Sequence, residues 1–142
     1  ATDDAFFSDP VVRMGIPGVE YFAHPFEMAP RIAKEFLFTG DKMSAERAYQ
    51  VGMVNRLSTR ETLQDDVNAL AAKIATQPRL GLALTKQVIN NIEDLQGKRT
   101  GMEAAFAWHH FSHAHNDLVS GDKLGGFDAK KMAAHNRAGD KS

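Results

Sequence analysis

The sequence predicts an α/β chain that is mostly helical, with one or two short strands in its first part. Three observations carry this. Leu63, Val67, Leu70, Ala71 and Ile74 recur at three- and four-residue steps, and Leu84, Val88, Ile89 and Ile92 repeat the pattern, which is the period of an amphipathic helix. Strand-like apolar runs are confined to the surroundings of Phe6-Phe7 and to residues 55–58. The helices carry narrow apolar stripes that one or two short strands cannot cover, so a sheet or a second helical layer, from a missing N-terminal half or other subunits, is expected to complete the core.

Residues 5–8 read as a strand, and Pro10, Gly15 and Pro17-Gly18 then force a turn of the kind that shapes small-molecule pockets. Arg31 to Phe38 is rich in helix formers and stops at Thr39-Gly40. Ser44 is placed to cap a short helix that ends at Gly52, although Arg47 stands where a capping-box glutamate would be. Residues 53–58 read as extended. Pro78 separates the two amphipathic helices, the polar turn Gln96-Gly97-Lys98-Arg99 ends the second, and a third is predicted over residues 100–116. The tail, with Gly121, Gly125, Gly126 and Gly139, has mixed character and is expected to dock on other structure.

Composition narrows the function classes. The 142 residues are 43% hydrophobic and 25% charged, ordinary for a chain that builds a core. A formal net charge of -1 gives no electrostatic case for nucleic acid or an anionic membrane surface. Cysteine is absent, which removes disulfides and thiolate metal sites and fits a reducing, cytoplasmic location. No apolar run approaches the roughly 20 residues that span a bilayer. The strand at the very start and the absence of an initiating Met lead to the expectation of a processed or partial chain.

The order of motifs forms a resemblance. Pro10-Val11-Val12-Arg13-Met14-Gly15-Ile16-Pro17-Gly18, then Ala33-Lys34-Glu35-Phe36-Leu37-Phe38-Thr39-Gly40, Ser44-Ala45-Glu46-Arg47-Ala48 and Gly52-Met53-Val54-Asn55-Arg56 resemble the second half of the crotonase (enoyl-CoA hydratase/isomerase) superfamily. Leu70-Ala71-Ala72-Lys73-Ile74-Ala75, Pro78 and Lys86-Gln87-Val88-Ile89-Asn90 continue it in the same order. The resemblance implies a spiral of ββα units with a C-terminal helical trimerisation region. Residues 1–58 would be the end of that core, and residues 59–142 the helical oligomerisation region and tail. It also implies an acyl-CoA thioester as substrate, no cofactor beyond the coenzyme A of that substrate, no metal, a missing N-terminal half as partner, and a homotrimer or hexamer.

In this family two backbone N–H groups stabilise the enolate formed from the thioester, and both are expected from the N-terminal half. Hydratases of the family, which are lyases, use two glutamates as acid and base. One belongs to the other half; the second aligns with Val11, which cannot transfer a proton. Val11 also fits the reading of a buried strand residue. Glu20 is the substitute implied by members similar to this chain, a catalytic acid partly desolvated beside Tyr21 and Phe22; a solvent-facing glutamate or the first-turn acid of a helix is the other reading. Val11, Ile16, Pro17, Gly18 and Tyr21 are expected to line the acyl pocket, with core packing as Tyr21's alternative.

Asp122-Lys123-Leu124-Gly125-Gly126-Phe127-Asp128-Ala129-Lys130 resembles the segment that contacts coenzyme A in many crotonases, which places Phe127 on the adenine and Lys130 on the phosphates; a solvated tail is the alternative. His109 and His113 share a helix face at the spacing of a zinc pair, yet lack surrounding ligand motifs and read as surface or interface residues. Two function classes remain open. One is the C-terminal half of an enoyl-CoA hydratase/isomerase-like enzyme; the other is a non-catalytic acyl-CoA-binding or assembly module from a split or truncated relative.

Overall fold

Two residues of strand on each side fix the first part of the molecule. Phe6–Phe7 (β1) pairs antiparallel with Met43–Ser44 (β2), Phe6 opposite Ser44 and Phe7 opposite Met43. The computed structural model describes residues 1–18 and 22–139. Between the strands come a 3-10 helix at Val11–Met14, α1 at His24–Glu27 and α2 at Pro30–Thr39. After β2 come α3 (Ala45–Gln50), α4 (Leu63–Ala75), α5 (Arg79–Leu95), α6 (Lys98–Ser120) and α7 (Ala129–Gly139).

Local chemistry sets these boundaries. Pro30 opens α2, where the missing N–H costs nothing. Gly40 closes it at φ 62°, a left-handed turn that sends its N–H back to the Phe36 carbonyl. That turn is also crowded: a Cβ on Gly40 would lie 2.9 Å from Pro10 Cα. Ser44 caps α3 as expected, its hydroxyl accepting from Arg47 N–H at 3.2 Å.

The core is small. Met28, Ala33, Phe36, Met43 and Ala48 are buried together, and Phe7, Ile32, Leu37, Val51, Met53 and Val54 pack around them. It joins the two strands to α2 and α3. Lys98, at the start of α6, reaches Glu27 at 3.3 Å and Glu93 at 3.0 Å, tying α1 to the junction of α5 and α6. At the N-terminal edge, Arg60 pairs with Asp4 at 2.6 Å. Bonds from Thr2 and then Arg60 hold the Asp4 carboxyl below its usual range, so this contact stabilises above the unfolded carboxyl's pKa and is lost as acid protonates it.

Three expectations are corrected. Residues 55–58 are not a strand; Thr2 and Ser58 form one isolated parallel bridge there. The reason lies just upstream, where Met53 and Val54 both direct their N–H groups to the Ala48 carbonyl at 2.9 and 3.2 Å and so make a turn. The second strand is instead Met43–Ser44. Val11 is not a strand residue either: it opens the 3-10 helix, half-buried, because Arg13 N–H turns back to Pro10 O at 3.0 Å. Finally, α6 runs beyond 100–116 at both ends, and the tail carries α7.

The long helices are laid bare. Ala105 is the buried residue of α4 to α6 among those described. Leu84 is 56% exposed and Trp108 65%, and Val88, Ile89, Ile92 and Phe111 are similarly open. Stripes of this size normally lie against another surface.

The Ser44 cap yields a first expected outcome. Ser44→Ala leaves the Arg47 N–H without its partner and lowers stability by about 1 kcal/mol. Urea denaturation followed by circular dichroism reads it; an unchanged midpoint would show that the cap contributes nothing.

Candidate functional site

The site grows from the turn after β1. Proline at position 10 cannot donate a hydrogen bond and fixes its own φ, so the chain coils into the Val11–Met14 3-10 helix instead of continuing as strand. Gly15 ends that helix at φ 77° with its N–H on Val12 O. Ile16 is buried, Pro17 half-buried, and Gly18, at φ 76°, is buried against Val11: a Cβ there would stand 3.0 Å from Val11 Cγ2. Val11, Ile16, Pro17 and Gly18 thus come together on one turn. Glu20 and Tyr21 lie outside the described residues.

Arg13 anchors this turn. Its guanidinium donates to the Thr39 carbonyl at 3.0 and 3.2 Å and pairs with Asp41 at 2.7 Å, so the exposed C-terminal end of α2 receives a cation where the helix dipole favours one. The Arg13 carbonyl faces the other way and accepts from Phe127 N–H at 2.6 Å. The segment that precedes α7 therefore sits directly on the turn.

Glycines make that approach possible. A Cβ on Gly126 would collide with the Arg13 carbonyl, and a Cβ on Gly15 would lie 3.0 Å from Gly125. Asn116, from α6, closes the contact by donating to Gly15 O at 3.1 Å. His113 braces the same loop: its Nδ1 lies 2.8 Å from the Lys123 carbonyl, which can only accept, so Nδ1 carries the proton. Its Nε2 is then the acceptor toward His109 Nε2 at 3.1 Å. His109 and His113 do share a face, and what they hold is a loop. Among the described residues, no group of three or more His, Asp or Glu side chains converges as a metal site.

Phe127 is 36% exposed, with its ring 5.7 Å from that of His135 on α7. Lys130 is exposed in the first turn of α7. The exposed aromatic ring of Phe127 thus follows directly on the backbone bond to the turn, and the Lys130 cation comes three residues later in the chain.

The pattern of the enoyl-CoA hydratase/isomerase family matches residues 1–131. The chain belongs to the enoyl-CoA hydratase/isomerase family. It is 38% identical over 125 residues to EchA13 of Mycobacterium tuberculosis, named an enoyl-CoA hydratase, covering 87% of this chain and 39% of that protein. It is 30% identical over 109 residues to the crotonyl-CoA hydratase of Syntrophomonas wolfei, covering 75% of this chain and 40% of that one. The crystal structure of a probable enoyl-CoA hydratase from Mycobacterium smegmatis superposes with a TM-score of 0.80 at 44% identity, over 87% of this chain and 50% of that one. The chain spans about two-fifths of the length of the curated relatives it matches. The crotonase fold expected from the motifs is therefore the fold it has.

Sequence reasoning did not single out Asn116. Asn116 was hidden because nothing local marks a helix side chain that bonds a loop a hundred positions away. The Gly125-Gly126 pair was the available signal that a backbone approaches closely. Gly126→Ala tests the approach: the added methyl pushes the segment off the Arg13 carbonyl, so hydrogen exchange at the Phe127 amide accelerates while the amides of α2 and α3 keep their rates. Unchanged exchange at Phe127 would mean the segment is held some other way.

Proposed function

We propose that this chain is the C-terminal half of an enoyl-CoA hydratase/isomerase-like enzyme, a lyase acting on acyl-CoA thioesters through an enolate. The observation that carries the reading is the junction at Arg13, where the turn of Val11, Ile16, Pro17 and Gly18 and the segment bearing Phe127 and Lys130 meet on one peptide group. An acyl thioester and its nucleotide need two such regions at a fixed separation. In this reading Val11, Ile16, Pro17, Gly18 and Tyr21 line the acyl pocket, Phe127 stacks on adenine, and Lys130 meets phosphate.

The oxyanion hole comes from the N-terminal half, which polarises the thioester carbonyl and holds the developing enolate charge. Glu20 supplies the proton, since Val11 has none to give. Coenzyme A enters as part of the substrate and no other cofactor takes part. The enzyme works in the cytoplasm as a homotrimer or hexamer, assembled through the exposed faces of α4 to α6. The apolar side chain at Val11 also favours a second reading, a non-catalytic acyl-CoA-binding or assembly module that retains the same contacts.

Glu20→Gln, in the subunit that holds this chain together with the N-terminal half, separates the two. Loss of one general acid–base group lowers kcat by about 10²- to 10⁴-fold with KM retained. An unchanged kcat removes Glu20 from the mechanism, and acyl-CoA binding without turnover in the unaltered subunit selects the binding module. For assembly, light scattering at micromolar concentration is expected to give the mass of a trimer or its double; a monomer would contradict the role given to α4–α6.

A further inference from the structure

One face of α6 carries a contact that exists in only one protonation state. His109 and His113, one turn apart and both half-buried, meet Nε2 to Nε2 at 3.1 Å with their rings at 86°. Two nitrogens at that distance hold one proton between them. His113 keeps its own proton on Nδ1, against the Lys123 carbonyl at 2.8 Å, so the shared proton is that of His109 Nε2. A further proton then has two places to go. On His113 Nε2 it would face the N–H of His109; on His109 Nδ1 it would put charge at a buried atom. Both disfavour the closed pair, so the rings take up the proton by parting, and acid favours the open form.

The pair holds the loop between α6 and α7. Asn116 reaches the Lys123 carbonyl only at 3.5 Å, which leaves His113 as its short tie. Three and four residues further on, Gly126 packs on the Arg13 carbonyl and Phe127 N–H bonds it. The surrounding charges do not duplicate this sensitivity. In the loop, Asp122 accepts from Leu124 N–H, and at the start of α7 Asp128 accepts from Lys131 N–H. On the turn, Arg13 is paired with Asp41. On α5, which packs against α6, Glu93 and Asp94 are taken by Lys98 and Arg99, leaving Arg79 and Lys86. Asp117 lies one turn beyond His113 on α6, and Lys123 and Lys130 are exposed. Two other imidazoles adjoin the system: His110, its ring 5.8 Å from that of His109, and His135, beside Phe127.

We propose that His113, paired with His109, is an acid-sensitive latch: closed at neutral pH, it holds the Lys123 carbonyl and with it the Gly125–Phe127 segment on the Arg13 turn, and a proton on the pair releases them. The consequence for ligand rests on the acyl-CoA reading above. Phe127 and Lys130, the residues assigned there to adenine and phosphate, are held in place above the range in which imidazole ordinarily titrates and let go below it. The latch thus regulates nucleotide binding without itself touching the ligand.

The test is amide hydrogen exchange in the subunit that holds this chain together with the N-terminal half, expressed as protection over the intrinsic rate at each pH. Between about pH 7.5 and about pH 5, protection at Phe127 is expected to fall about tenfold or more, while the amides of α2 and α3 keep theirs. Glutamine has an N–H for the carbonyl and an oxygen for His109 but takes up no proton, so His113→Gln is expected to show the same protection at both pH values. His110→Gln and His135→Gln are expected to keep the fall. Constant protection in the wild type overturns the latch, as does a fall that survives in His113→Gln, one abolished by His110→Gln or His135→Gln, or one shared by α2 and α3. Coenzyme A titrated calorimetrically carries the consequence: the wild type is expected to lose more affinity on acidification than His113→Gln, which retains whatever the phosphates contribute. Equal losses overturn the regulatory role. A subunit whose Phe127 amide opens in acid but which binds coenzyme A at neither pH overturns the acyl-CoA reading and leaves the latch standing.

Discussion

The arrangement depends on one peptide group. The carbonyl of Arg13 accepts from Phe127 N–H while the same residue's guanidinium grips the last turn of α2 at Thr39 and the carboxylate of Asp41. A bidentate cation on a helix C-terminus holds one side, and a short backbone bond holds the other. Between these clamps lies the turn that gathers Val11, Ile16, Pro17 and Gly18. Glycines at 40 and 126 let both neighbours come close enough, because neither position has room for a Cβ. A shift of this peptide would move the Val11–Gly18 turn, the end of α2 and the tail segment at once.

That coupling explains why the small core suffices in the first part of the chain. Phe36 and Met43 bury apolar surface between α2 and β2, and the turn is fixed against them by polar contacts rather than by further packing. The helices after Leu63 follow a different logic. Their apolar stripes face outward at Leu84, Val88 and Ile89, and Lys98 with its two glutamates is a polar tie in a region with little buried surface. Among the described residues, nothing covers these faces of α4 to α6.

Periodicity made the helices legible in the sequence, and cap chemistry located their ends at Gly40 and Ser44. Order of motifs made the family legible. What escaped was set by contacts distant in sequence. The strand at Met43–Ser44 is two residues long and exists because Phe6 and Phe7 lie opposite it, so no local period announces it. Residues 55–58 have strand-like composition, but the turn to Ala48 has already used the N–H groups just before them. Val11 has a β-branched side chain suited to a strand, and Pro10 overrides that preference through the backbone. In the candidate site, Val11, Ile16, Pro17, Gly18, Phe127 and Lys130 could be named from motif positions. Asn116 could not, because it acts through a partner from another element.

The most direct measurement is a crystal structure of the subunit bearing this chain, with an unreactive acyl-CoA analogue bound. The account predicts the acyl group in van der Waals contact with Ile16, Pro17 and Gly18, adenine against Phe127, and the Arg13–Phe127 bond intact between them. An analogue bound away from the Val11–Gly18 turn, or a Phe127 segment detached from Arg13 in the complex, would contradict it.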